Sequence, residues 1–169
     1  MKPTTCEEKA PMAAPQQPPA EAEQHPASSA AEQVATQGAT AVVGLGYVGL
    51  PLCLQFAASG HRVLGLDIDG EKTADIGRGE SYIGHIPADR LREHVAEGRL
   101  AASTDFSRVA EVETVVICVP TPLTAHREPD ISYILATGKA IAPHLRRGVL
   151  IVLVCATYPG TTDTELREV

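Results

Sequence analysis

"AVVGLGYVGLPLCLQFAASG", residues 41–60, decides the fold. Val42 and Val43 form a β-branched pair that runs into three glycines, Gly44, Gly46 and Gly49, with Pro51 close behind. Glycine and proline are the residues a helix interior tolerates least. Yet Leu50, Leu54 and Ala57 or Ala58 recur beyond them at helical spacing. A G-x-G-x-x-G run becomes informative when it leaves a strand and enters a helix, as here. Gly44 permits the tight turn, Gly46 lets backbone approach a pyrophosphate, and Gly49 lets the helix pack closely. The first N–H groups of the helix have no intrahelical partners and can bind phosphate oxygens. Pro51 fits a first turn, where its missing N–H is no loss, and Gly60 closes the helix.

A second apolar run, "HRVLGLDID", ends at Asp67, 21 residues after Gly46 (67 minus 46). That spacing suits a carboxylate accepting hydrogen bonds from adenosine ribose hydroxyls, and its charge would repel a 2′-phosphate. The expected cofactor is therefore NAD rather than NADP. Lys72, in the polar stretch that follows, is expected at the rim of the adenosine site.

The rest of the chain repeats the alternation. "DGEKTADIGRG" and "IPADRLREHVAEGRL" read as helices, the second starting near Pro87 with Leu91 and Val95 on one face. "LAAST" reads as a short strand, and "ETVVICVP" as a buried strand stopped by Pro120. "DISYILATGKAIAPHLRRG" reads as helix, with Asp130 as its cap. "VLIVLV" reads as another fully buried strand, followed by a Pro-Gly turn and a polar helix start. Apolar strands alternating with helices predict a doubly wound parallel α/β sheet, Rossmann-like, covered on both faces.

Composition sets the limits. The chain has 169 residues, 44% hydrophobic but only 4% aromatic, with no Trp, so its core is expected to be aliphatic. The net charge of -7 comes without a basic block, which argues against a nucleic-acid surface. No apolar run reaches the roughly 18 residues of a membrane span, and no secretory leader pattern opens the chain. Residues 1–38 are rich in Ala, Pro, Gln and Glu with no aromatic, and carry a charge of -3 (two Lys against five Glu). Such a segment reads as a disordered tail. Cys6, Cys53, Cys118 and Cys155 form no C-x-x-C pair and read as free thiols in a reducing cytoplasm. The six histidines show no metal-ligand spacing, so no metal is expected.

Six motifs in order, "GLGYVGLPL", "GLDID", "GESYIGHIP", "ICVPTPL", "REPDISYI" and "TYPGTT", resemble the UDP-glucose/GDP-mannose dehydrogenase family over residues 40–169. Within it they look most like the UDP-N-acetylglucosamine and UDP-N-acetylmannosamine 6-dehydrogenases. The resemblance implies oxidation of the C6 alcohol of a UDP-sugar to a carboxylate with two NAD+. It places Gly44, Leu45, Gly46, Tyr47, Val48 and Gly49 around the pyrophosphate, with Asp67 and Lys72 at the adenosine. It also implies that Val119, Pro120 and Thr121, at the switch point of the sheet, and Thr157 line the rest of the cofactor groove. Where the family reads Glu-Ser-Thr-Thr, this chain has Val154, Cys155, Ala156 and Thr157. Ala156 cannot hold a water by hydrogen bonding, and Cys155 is not the nucleophile the family uses.

The resemblance also implies that the catalytic cysteine and the sugar-binding part lie beyond Val169. Residues 39–169 are thus expected to be a partial NAD-binding domain, inactive alone and prone to self-association through uncovered apolar surface. The alternative is a non-catalytic NAD-binding or interaction module. A two-domain dehydrogenase of the hydroxyacid type fits "SYIGHIP" and "REPD" less well.

Overall fold

The computed structural model describes residues 38–169. Apart from Gly38, the tail expected over residues 1–38 lies outside them, as does Cys6. Five strands, β1 (Thr40–Val43), β2 (Val63–Leu66), β3 (Leu100–Ser103), β4 (Thr114–Ile117) and β5 (Leu150–Leu153), form one sheet. All the pairings are parallel, in the order β3-β2-β1-β4-β5. Four helices alternate with them: α1 (Gly49–Ala58), α2 (Gly70–Gly77), α3 (Ala88–Ala96) and α4 (Ser132–Ile141). This is the Rossmann-like architecture that the alternation predicts.

Parallel strands need helical crossovers, and these cover both faces of the sheet. The side-chain period of two then splits each strand between two cores. Val42, Val63 and Val116 pack on one face with Leu50, Cys53, Leu54 and Leu91. Ala41, Val43, Leu64, Leu66, Val115 and Ile117 pack on the other with Val109, Val112 and Ile141. Burial of each such Leu or Val side chain stabilises the fold by about 1.5–3 kcal/mol.

Local chemistry sets the helix ends. Asp69 caps α2, its carboxylate accepting from the Glu71 and Lys72 amides. Pro87 occupies the N-cap of α3. Gly60, with φ +88°, follows α1 and donates its N–H to the Ala57 carbonyl.

Three expectations are corrected. β5 is not fully buried. Ile151 and Leu153 pack on the second core, but Leu150 is 59% exposed and Val152 and Val154 also face outward. At one edge of the sheet, β5 pairs with β4 alone among the described strands, and α1 packs instead over β1 and β2. The last long helix is also shorter than its apolar pattern suggests. α4 ends at Ile141 and gives way to a 3-10 turn over Ala142–His144 that contains Pro143, a residue that cannot continue an α-helix. Asp130 lies one residue outside the expected cap position: Ile131 is the N-cap, and the Asp130 carboxylate accepts from the Ser132 amide at 2.9 Å.

Candidate functional site

Three adjacent strands deliver the site. β1 runs into the glycine turn, β2 into Asp67, and β4 into Cys118 and Val119. Register places Val43 opposite both Leu66 and Ile117, so the three exits lie level at one rim. A parallel sheet binds ligands outside these carboxyl ends, where the strand order reverses.

The turn is shaped by what glycine lacks. Gly44 has φ +92°, and a Cβ there would lie 2.6 Å from the Cys118 carbonyl oxygen. A Cβ on Gly49 would lie 1.8 Å from the Gly44 oxygen and 3.5 Å from the Cys118 Cβ. Gly49 therefore seats α1 against the turn and the exit of β4. Gly46 differs: a Cβ there would meet nothing within 4 Å. The protein does not require glycine at position 46; it leaves the space in front of that backbone open. The first α1 bond runs from the Leu50 N–H to the Gly46 carbonyl, so the amides of residues 46–49 precede the hydrogen-bonded helix.

Asp67 is only 7% exposed. Its Oδ2 accepts from the Leu45 N–H at 2.7 Å, and its Oδ1 from the Asp69 N–H at 3.0 Å. The Lys72 ammonium lies 3.5 Å from Asp67 Oδ2 and 3.7 Å from Asp69 Oδ2. The acid and the glycine turn, separate motifs in the sequence, are thus joined by a hydrogen bond. Ile68, next in the chain, is 85% exposed.

The segment "SYIGHIP" adds groups that spacing alone did not assign to the site. The Tyr82 hydroxyl donates to the Leu45 carbonyl at 2.5 Å. Burial, and next the charge of Asp67, push the Tyr82 phenol well above its usual range and keep it a donor. The His85 ring stacks on Tyr47, with centroids 6.3 Å apart and planes 17° off parallel. These contacts span 37 or 38 residues, and no local periodicity announces them.

At the β5 end the Cys155 thiol donates to the Val119 carbonyl at 3.3 Å and contacts the Ile117 carbonyl at 3.6 Å. Burial raises its pKa, against a smaller opposing effect of the Val119 contact. Cys118 is pushed up to about 11, by burial first and by Cys155 second. Neither thiol is an activated nucleophile. Thr157 bonds to the Thr161 hydroxyl at 2.8 Å. Val119 and Thr121 are half-buried and Pro120 is exposed. The structure therefore brings together Gly44–Gly49, Asp67, Lys72 and the β4 exit. Among the described residues, no hydrogen bond or ion pair ties Thr121 or Thr157 to them.

Residues 39–169 match the model of the UDP-glucose/GDP-mannose dehydrogenase family, NAD binding domain. The chain belongs to that family. A UDP-N-acetyl-D-mannosamine dehydrogenase from Pyrococcus horikoshii is 36% identical over 128 residues, 75% of this chain and 30% of the relative. An NDP-N-acetyl-D-galactosaminuronic acid dehydrogenase from Ralstonia nicotianae is 39% identical over 124 residues, 73% of this chain and 29% of the relative. The solved UDP-glucose dehydrogenase of Pyrobaculum islandicum superposes with TM-score 0.72 at 28% identity, covering 79% of this chain and 32% of that one. The chain thus spans about 30% of the length of the curated relatives it matches.

The site fits the cofactor of such an NAD-binding domain. Open space fronts the Gly46 backbone, and a carboxylate bonded to the same loop stands beside it. Among the described residues no group of three His, Cys, Asp or Glu could hold a metal ion, and no helix is long and apolar enough to cross a membrane.

Proposed function

We propose that residues 39–169 hold NAD at the β1–α1 turn and are the cofactor part of a nucleotide-sugar 6-dehydrogenase. The observation that carries this reading is the open space before Gly46, next to an Asp67 carboxylate hydrogen-bonded to Leu45. The amides of Gly46, Tyr47, Val48 and Gly49 would bind the diphosphate, supported by the partial positive charge at the start of α1. Asp67 would accept from the adenosine ribose, with Lys72 alongside. Exposed Ile68 offers the adenine an apolar contact. Val119, Pro120, Thr121 and Thr157 would line the groove toward the nicotinamide.

NAD+ bound there supplies a hydride acceptor. The protein's part is to fix its diphosphate and adenosine. In the assembled enzyme we place oxidation of the C6 alcohol of a UDP-sugar to the carboxylate, with two NAD+ per turnover. Among the described residues, Cys53 and Cys118 are buried and Cys155 engages backbone carbonyls, so none of the three is poised as the nucleophile. We therefore expect this 169-residue polypeptide to bind NADH but not to oxidise a UDP-sugar. The exposed apolar face of β5 would drive its self-association.

Fluorescence titration tests the binding claim. NADH should bind, and more tightly than NADPH. Equal affinity would remove the ribose assignment, and no binding would remove the cofactor site. NADH formation by the chain with NAD+ and a UDP-sugar would overturn the expected inactivity.

A second reading is a non-catalytic NAD-binding or interaction module. It is favoured by Val154-Cys155-Ala156, which leaves a thiol bonded to Val119 and a methyl where the family carries hydroxyls. The two readings part on whether a cysteine-bearing sugar domain restores turnover.

A further inference from the structure

The Leu45 backbone is held on both sides of its Cα, through two successive peptide groups. Its N–H donates to Asp67 Oδ2 at 2.7 Å, and its carbonyl accepts from the Tyr82 hydroxyl at 2.5 Å. The side chain between them is fully buried, and a Cβ on Gly65 would come within 2.8 Å of its Cδ2. Leu45 is thus packed against the Gly65 backbone of β2 as well as hydrogen-bonded on both sides. The next four residues carry the amides that precede the helix. The bond to the Asp67 carboxylate is charge-assisted, and so the stronger of the two.

Tyr82 is itself anchored. The Ser81 hydroxyl donates to the Ile83 carbonyl at 3.0 Å and accepts from the Ile83 N–H at 3.3 Å. Ile83 and Ile86 are buried in the first core. The Ile86 N–H bonds back to the Ile83 carbonyl, and His85 stacks on Tyr47, the middle of the glycine turn. The segment thus touches the turn twice, at Leu45 and at Tyr47, from an anchorage in the core.

We propose that Ser81–Ile86 braces the glycine turn, and that Tyr82 is a positioning residue for diphosphate binding, acting through the Leu45 carbonyl. The binding part of this inference rests on the cofactor reading above; the bracing part does not. A loop held in its binding conformation before the ligand arrives loses less entropy on binding. Removing the brace should therefore weaken diphosphate binding and leave the nucleoside contact largely intact.

The test uses the full chain, its Tyr82→Phe variant and, as a second probe that keeps the phenol, Ser81→Ala. Amide hydrogen exchange is measured without ligand, and binding is measured with NADH, ADP and adenosine. In Tyr82→Phe the amides of residues 45–49 should exchange several-fold faster, while those of β1 and β4 do not change. ADP and NADH should bind about fivefold more weakly, the effect of one lost hydrogen bond, with adenosine within about twofold. Ser81→Ala should move both readouts the same way by less, and decides the matter if Tyr82→Phe does not fold. Unchanged exchange at residues 45–49 overturns the brace. Faster exchange with unchanged ADP affinity overturns its role in binding. Failure of the unsubstituted chain to bind NADH or ADP overturns the cofactor reading and the binding role together, and exchange then decides the brace alone.

Discussion

Leu45 and Asp67, 22 residues apart in the chain, are joined by a 2.7 Å hydrogen bond from backbone amide to buried carboxylate. Asp67 therefore has a structural task besides any contact with a ribose. Asp67→Ala should cost about 1–3 kcal/mol of stability, because the Leu45 N–H loses its partner in a buried place. It should also weaken NADH binding about a hundredfold, some 2.7 kcal/mol. Thermal melts and fluorescence titration read the two effects separately. A variant with unchanged melting temperature would mean that the Leu45 contact carries no stability.

Gly44 and Gly46 should respond differently to the same methyl group. Gly44→Ala forces a side chain into left-handed backbone and against the Cys118 carbonyl, and should destabilise by about 2–4 kcal/mol. Gly46→Ala meets no protein atom, so the melting temperature should stay within a degree or two of the parent while NADH affinity falls about tenfold or more. Tight NADH binding by Gly46→Ala would mean that the open space is not where the diphosphate lies.

The outward side of β5 should control association. Leu150→Lys places a charge on an exposed edge position without touching either core. Sedimentation velocity should show concentration-dependent association for the parent and a monomer for the variant, with equal melting temperatures. A parent chain that is monomeric throughout would dismiss the proposal of association through β5.

Acid should weaken the fold partly through two loop carboxylates. Asp105 and Asp130 are held below their ordinary value of 3.8, first by hydrogen bonds from Ser107 and Ser132 respectively. A depressed carboxylate stabilises the folded state above its unfolded pKa, and that contribution is lost as pH falls through the folded value. Melting temperature should therefore drop as pH falls from about 5 to 2, and the Asp105→Asn, Asp130→Asn double variant should show a shallower drop. Identical acid limbs would assign the loss to other groups.

Residues 41–60 read correctly from sequence because strand, turn and helix are local, and each leaves a pattern within a few residues. The central strands read correctly because burial on both faces removes polar residues from them. β5 misled for the same reason: "VLIVLV" is as apolar as β4, and sequence does not say which strand lies at the edge. The apolar pattern of α4 continues past Pro143, which ends the helix sterically, so the pattern overstates its length. Within the candidate site, the spacing from Gly46 singles out Asp67, a carboxylate that the fold joins to the glycine turn. Its bond to Leu45 and the Tyr82 contact were not, since both depend on how distant segments pack. Cys155 was legible as a departure from a family pattern, but its bond to the Val119 carbonyl was not.

The level exits of β1, β2 and β4 make ligand capture a stringent measure of correct folding. A slip of one strand by two residues would keep every apolar side chain on its proper face, yet move its exit by about 6.6 Å. Such a misfolded molecule would give an ordinary circular dichroism spectrum and bury much the same hydrocarbon. It would separate the Asp67 carboxylate from the Leu45 amide, and an immobilised nucleotide column would let it pass.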